Sequence, residues 1–306
     1  MTDNIRSFLN YAGGKYRLLN QITPLFPIEY NQFIDLFCGS GVVAINYARQ
    51  NNLFNSNTYL LNDSNTYLIK LMEYISKSNI NIFISEVEKI IKDYNLSDTK
   101  SKGYEYYNVD SSKGLALINK EQFMTLRSDF NNGINDELRY FAMFYTLIVF
   151  GFNNQIRFNQ KNQYNLPVGK RDFNNQMRNK LLTFHHCLQI GKYTFTNKDF
   201  KQVSFKKNDF IYADPPYSIT TATYTENGNW NTDNDKDLFD YLDNVDRLGA
   251  KFALSNVMEH KNVENIILKE WASSYKIHYL DFNYNNSNYQ SKAKQSKTVE
   301  VLITNY

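Results

Sequence analysis

The chain is poor in cysteine: Cys38 and Cys187 are the two in 306 residues, and they show no C-x-x-C spacing. That excludes a disulfide framework, supplies no zinc-ligand set and fits a reducing compartment. No run of 18 apolar residues exists to cross a membrane, and the opening MTDNIRSFLN lacks the basic start and apolar stretch of a secretory signal. The expectation is a soluble, cytoplasmic protein. Net charge is also small, since 34 basic and 31 acidic residues leave +3, too little to name a partner from bulk charge. Proline is rare, with five residues, yet two of them stand side by side at 215 and 216. Aromatics are what the chain has in quantity: 24 Tyr and 22 Phe within a 42% hydrophobic composition argue for a packed core. The length suits one large domain carrying an insertion.

Hydrophobic patterning divides the chain in three. Residues 33–37 read as a buried strand, 38–41 as a tight turn and 42–48 as a helix, and a second strand, TYLLN, ends before Asp63. Between residues 66 and 190 helical patterns dominate, among them ELRYFAMFYTLIVF, apolar nearly all round and so expected to be a buried central helix. Within that block Ile156, Phe158, Tyr164 and Leu166 flank a polar NQKNQ turn, the spacing of a β-hairpin. Strand patterns return in KYTFT, DFIYA, KFALSN, YKIHYLDF and TVEVLIT, with helical patterns in DKDLFDYLDNVDRLG and HKNVENIILKEWA. Strands alternating with helices on both sides of a helical block predict an α/β sheet interrupted by an inserted, mainly helical subdomain. The predicted division is a core from 1–65 and 191–306 and an insertion over 66–190. The many asparagines read as compositional drift.

In an open α/β sheet, ligands bind at the carboxyl ends of strands. Cys38-Gly39-Ser40-Gly41 offers close backbone approach and a helix N-terminus. Asp63, at the end of the next strand, is placed to accept from ribose hydroxyls. G-S-G-V-V-A also matches a nicotinamide dinucleotide fingerprint. Asp35, an acid in an apolar strand beside that turn, suits instead a cofactor with a cationic amino acid end, such as S-adenosylmethionine. Asp214-Pro215-Pro216-Tyr217 is the most specific signal. The Asp214 carboxylate and the Pro215 carbonyl offer two rigidly spaced acceptors for the two hydrogens of a planar NH₂, and Tyr217 can stack on a base. Such acceptors make a delocalised amine a better nucleophile, and positioning and electrostatics supply most of the gain. Between Gln155 and Lys180, six basic residues (Arg157, Lys161, Lys170, Arg171, Arg178 and Lys180) face one acid, Asp172, a local excess able to meet phosphates. A solvated loop is the plainer reading of that excess, as it is for Lys292, Lys294 and Lys297 in SKAKQSK. His185 and His186 lack an accompanying ligand pattern, so no metal is expected. Cys38 lies in the glycine turn and reads as packing, and Trp230 and Trp271 carry no assignment.

Tyr11-Ala12-Gly13-Gly14-Lys15, DLFCGSG, LLND, DPPY and LSNVMEH, in that order, resemble the Dam-type DNA adenine methyltransferases, including those of T-even phages. The resemblance covers nearly the whole chain. It implies a Rossmann-like class I methyltransferase core and a mainly helical target-recognition domain containing a β-hairpin. S-adenosylmethionine would donate a methyl to the exocyclic amine of a flipped-out adenine in double-stranded DNA, commonly within GATC. Carried over by position, Tyr11, Ala12, Gly13, Gly14 and Lys15 would flank the methionine end of the cofactor. Phe37 and Gly39 would line its pocket, Asp63 would hold the ribose, Asp199 and Phe200 would meet the adenine ring, and Asp214, Pro215 and Tyr217 would be catalytic. F-N-N-Q-I-R and P-V-G-K-R resemble the DNA-reading hairpin, placing Phe152, Asn153, Gln155, Arg157, Pro167, Lys170 and Arg171 on DNA. Phe152 would be a wedge, Arg157 a guanine reader and Pro167 a contact to a thymine methyl. Gln155 departs from the apolar residue of the phage relatives, and Gln can pair with adenine instead. Three settings stay open for such an enzyme, a solitary methylase, a restriction-modification partner or a viral protein, as does the choice between a monomer and a weak dimer on DNA. The competing readings are a methyltransferase acting on RNA or protein amines, an inactive DNA-binding module and a dinucleotide oxidoreductase.

Overall fold

A computed structural model describes residues 4–11, 13–51, 58–110, 112–219, 230–281 and 298–306. Among these, the strands are β1 (Gln32–Asp35), β2 (Thr58–Asn62), β3 (Lys192–Thr196), β4 (Phe210–Ala213), β5 (Lys251–His260), β6 (Val263–Glu264), β7 (Lys276–Leu280) and β8 (Thr298–Thr304). The α-helices are α1 (Leu19–Ile22), α2 (Val42–Asn51), α3 (Thr66–Lys77), α4 (Ile80–Asp93), α5 (Thr99–Lys102), α6 (Ala116–Asn131), α7 (Glu137–Phe150), α8 (Asn175–Ile190), α9 (Thr232–Arg247) and α10 (Ile266–Ala272). The chain forms two compact units, one built mainly of Lys15–Ser64 and Gly191–Tyr306, the other of Asp3–Gly14 and Asn65–Ile190.

The first unit is a single sheet in the order β3-β2-β1-β4-β5-β8-β7, with β6 paired to β5. The strands from β3 to β5 run parallel, and β8 enters antiparallel between β5 and β7. This is the mostly parallel α/β sheet that the alternation of strand and helix patterns predicts. The strand β4 is buried at every residue, as a central parallel strand covered on both faces must be. Register puts Phe33 beside Phe210 and Asp35 beside Tyr212, so these four share a face. Phe26 and Tyr47 pack there: Phe26 meets the Phe210 ring edge-on at 4.9 Å, and Tyr47 lies 5.3 Å from Phe33. The opposite face buries Ile34, Ile211, Phe252 and Leu254 against Leu238, Leu242 and Val245 of α9 and Leu268 of α10. Sheet order reverses at β1, whose neighbours β2 and β4 lead away in opposite directions. That switch is where open α/β sheets build ligand sites.

Two local readings change. The segment HKNVE does not open a helix: β5 continues to His260, and β6 folds back on it through Lys261 and Asn262, both left-handed (φ 51° and 64°). Two positive φ values are what a two-residue hairpin turn demands, and helix α10 begins only after the Asn265 cap. The asparagines are not idle either. Asn65, Asn79, Asn231 and Asn265 cap helices through their side chains, and Asn95, Asn108, Asn153, Asn154, Asn162, Asn208 and Asn262 hold left-handed backbone. Both uses follow from a short amide that bonds its own neighbouring backbone.

The second unit is helical. Helix α7 is buried at every position from Phe141 to Phe150, as its all-round apolar pattern predicts. Residues 3–14, which the sequence reading assigns to the core, group with this unit. Phe8 lies 4.3 Å from Phe184 and 6.1 Å from Tyr145, and the Asn10 amide donates to Asn154. The hairpin of residues 156–166 is reduced to one isolated bridge, Phe158 to Tyr164, closed by backbone bonds from the Asn159 N–H to the Gln163 carbonyl at 2.9 Å and from the Asn165 N–H to the Arg157 carbonyl at 3.2 Å, while Asn131 bonds the outward N–H and carbonyl of Tyr164. No helix among the described residues is long and apolar enough to cross a membrane.

Candidate active site

Three strand ends converge on the first unit's switch point. After β1 the chain turns through Gly39 and Gly41, both left-handed (φ 48° and 71°), which side chains rarely allow. The Gly39 N–H donates to Asp63 Oδ2 at 2.9 Å, so the end of β2 is latched to the glycine turn. Asn62 ties the same region together, donating to the carbonyls of Leu36 and Lys198 and accepting from the Lys198 N–H.

Asp35 is 1% exposed, and neither of its carboxylate oxygens has a hydrogen-bond partner. Burial first, and then the Asp214 and Asp63 carboxylates, push it well above the usual carboxylate range. The Ala44 N–H in the first turn of α2 pulls the other way, without reaching hydrogen-bond geometry. A buried acid with no partner is a costly arrangement that a cationic ligand group would relieve. Cys38 is buried beside it, and burial together with Asp63 and Asp35 raises the thiol, so it is no nucleophile.

At the end of β4, Asp214, Pro215 and Tyr217 keep the compact order of the sequence motif. Asp214 Oδ1 accepts from Lys15 Nζ at 2.8 Å and from Tyr217 Oη at 3.0 Å, and Lys15 also donates to Tyr217 Oη. The Lys15 ammonium sits 4.9 Å from the Tyr217 ring centre. The three groups form a closed network across 202 residues of chain, with Lys15 only 7% exposed and Asp214 17%. Burial and the Asp214 charge push the Tyr217 phenol far up, so it stays a neutral donor. Sequence alone places Lys15 near a cofactor; the contacts add a direct grip on the Asp-Pro-Pro-Tyr turn.

Phe37 and Phe200 lie 5.5 Å apart, and Trp230 joins them at 5.5 and 5.8 Å. Trp230 is anchored by its indole N–H on Asp235 Oδ1 at 2.7 Å. No sequence signal singles it out, because its ring partners, Phe37 and Phe200, lie 30 or more residues away. Asp199 accepts from the Lys201 N–H and caps the short turn holding Phe200. Tyr11, Gly13 and Gly14 belong to the helical unit, and Ala12 lies outside the described residues, as do Lys292, Lys294 and Lys297.

In the helical unit, Phe152, Asn153, Pro167, Lys170 and Arg171 are exposed, while Gln155 and Arg157 are half-buried. The Phe152 N–H donates to the Pro167 carbonyl at 2.9 Å, which brings the two motif segments together. Arg157 donates from Nε to Asn165 Oδ1 at 2.8 Å and from Nη2 to the Asn165 carbonyl at 3.2 Å, fixing the guanidinium plane. His185 bonds the Ser78 carbonyl, and among the described residues no group of three or more His, Cys, Asp or Glu side chains could hold a metal.

Comparison with known proteins places this geometry. The chain is 38% identical, over 99% of its length, to the modification methylase StsI of Streptococcus sanguinis, and 36% identical, again over 99%, to the type II methyltransferase M.FokI of Planomicrobium okeanokoites. It spans 43% of the length of each of these relatives. The DNA adenine methylase of Haemophilus influenzae is 31% identical over 70% of this chain and 64% of its own. The Dam-type likeness is thus present at lower identity than the likeness to modification methylases. The model of the D12 class N6 adenine-specific DNA methyltransferases matches residues 11–286, and the chain belongs to that family.

Proposed function

We propose that the chain methylates the exocyclic N6 amine of an adenine flipped out of duplex DNA, with S-adenosylmethionine as donor. The observation that carries this reading is the placement of Asp214 at the carboxyl end of β4, next to the Gly39 turn of β1, where sheet order reverses. The unpartnered Asp35 carboxylate fits the cofactor's α-ammonium, Asp63 its ribose, and the Phe37–Phe200–Trp230 cluster a flat purine. Bound there, S-adenosylmethionine would supply an electrophilic sulfonium methyl.

Every other part of the chemistry belongs to the chain. Lys15 and Tyr217 hold the Asp214 carboxylate in place through Oδ1. The second oxygen and the Pro215 carbonyl then each accept one N6 hydrogen, pulling these protons out of conjugation and freeing the lone pair for in-line attack. The proton that N6 sheds leaves along the Asp214 hydrogen bond. Phe152 would enter the duplex and offset the few kcal/mol needed for extrusion, and Arg157, Gln155 and Pro167 would read the site. The finer reading is an adenine within GATC, which rests on the likeness of those hairpin residues.

Sequencing that detects methylated adenine, in DNA from cells expressing the chain or its Asp214→Ala variant, tests both levels. Modified adenines in one short motif, lost in the variant, are expected. Unmodified DNA, or equal modification by the variant, sinks the activity, whereas a motif other than GATC sinks only the finer reading.

A further inference from the structure

An α-helix leaves its last four carbonyls without intrahelical partners. In α7 all four are taken by the segment that follows. Leu147 O accepts from Tyr164 Oη at 3.1 Å, and Phe150 O from the Gly169 N–H at 2.6 Å. Ile148 O accepts from Asn154 Nδ2 at 3.0 Å and from the Gly151 N–H at 3.2 Å, and Val149 O from Asn154 Nδ2 at 2.8 Å. One buried amide, that of Asn154, therefore bridges two of the four. Its Oδ1 accepts from Asn10 Nδ2 at 2.9 Å, and Asn10 Oδ1 accepts from Lys180 Nζ at 2.7 Å.

The backbone of this turn is strained. Asn153 and Asn154 are consecutive left-handed residues, with φ of 52° and 53°. Between the strained pair and the end of α7 stands Phe152, a residue 48% exposed. An exposed aromatic ring gains by folding back onto apolar surface, and a loose turn would let it do so. Side-chain bonds from Asn154 into the helix end oppose that collapse.

We propose that Asn154, backed by Asn10, is the positioning residue that holds Phe152 outward for insertion into the base stack. The proposal rests on the reading of Phe152 as a wedge. Asparagine serves two separable purposes here: it tolerates left-handed backbone, and its amide caps α7. Glycine would keep the first and remove the second, so Asn154→Gly isolates the side-chain bonds.

The test uses the full chain and duplexes carrying the motif found by sequencing, with the target adenine either paired to thymine or mismatched. A third duplex carries 2-aminopurine at the target, whose fluorescence rises on extrusion. Asn154→Gly and Asn10→Ala are expected to lower methylation of the paired duplex about tenfold and to weaken the fluorescence rise. On the mismatched duplex, where extrusion is already cheap, they should return to within about twofold of wild type. Binding of S-adenosylhomocysteine should not change. Equal loss on both duplexes would mark a merely structural role and overturn the proposal, as would no loss on either. Phe152→Ala is the reference: if it leaves the fluorescence rise intact while the wild type still methylates DNA, the wedge reading fails and this inference with it, but the methyltransferase reading survives.

Discussion

Replacing Asp35 with asparagine separates two opposed demands on one buried side chain. The carboxylate is 1% exposed and unpartnered, and burial raises it well above the usual carboxylate range. A group raised in the folded state holds its proton more tightly there than in the unfolded chain. Its contribution to stability is therefore full below the unfolded carboxylate value and is lost as pH rises through the folded one. At neutral pH the ionised form is a burden, and Asp35→Asn should stabilise the ligand-free protein by on the order of 1 kcal/mol, or about 2–4 °C in Tm. That gain should shrink in acid, where the wild-type carboxyl is already protonated. Cofactor binding should move the other way. Losing a charge-assisted hydrogen bond to an ammonium costs about 1.5–3 kcal/mol, or about 10- to 150-fold in Kd. Titration calorimetry with S-adenosylhomocysteine, which keeps the amino acid end, measures this directly. Wild-type affinity should weaken as pH falls through the raised Asp35 value, and the variant should lose that dependence. A variant that binds as tightly as wild type, or melts lower without ligand, would refute the reasoning.

Three further outcomes are expected. Lys15→Met removes the cation shared by Asp214 Oδ1 and Tyr217 Oη, so kcat should fall about 10- to 100-fold with a smaller change in S-adenosylhomocysteine affinity; the reverse pattern would return Lys15 to the cofactor. Gly169→Ala would set a methyl 2.4 Å from the Gly151 carbonyl oxygen, where backbone must shift. A loss of about 1–3 kcal/mol in stability and weaker DNA binding are expected, with cofactor binding retained, as melting curves and gel shifts would report. Cys38 should resist alkylation by iodoacetamide at pH 8, because burial and two carboxylates hold it as a thiol; rapid modification with loss of activity would contradict this.

The strand ends are readable from sequence because their chemistry is local. A glycine pair after an apolar strand and a proline pair after another each fix a turn within a few residues. The adjacency of β1 and β4 follows only from a fold-level rule, since some 175 residues separate them. Less local features stay hidden. Lys261 and Asn262 carry no glycine to mark their turn, so the β5–β6 hairpin reads as the start of α10. Residues 3–14 give no sign of packing with helices found 130 or more positions later. Trp230 acquires its place from Phe37 and Phe200, and nothing beside it in the chain announces that. The Lys15 grip on Asp214 is likewise a contact across 199 positions that only folding creates.

On the proposed reading of this segment as the DNA-contacting one, the end of α7 constrains how its specificity can change. Residues added or removed between 151 and 154, or between 167 and 169, would leave carbonyls of the central helix stranded in an apolar interior. The tip at 159–163, held by its own Asn159 side chain, has no such obligation. Diversification is thereby channelled: the scaffold tolerates exchanges of side chains at fixed heights and changes of length at the tip, and it penalises sliding the reading frame of the hairpin itself.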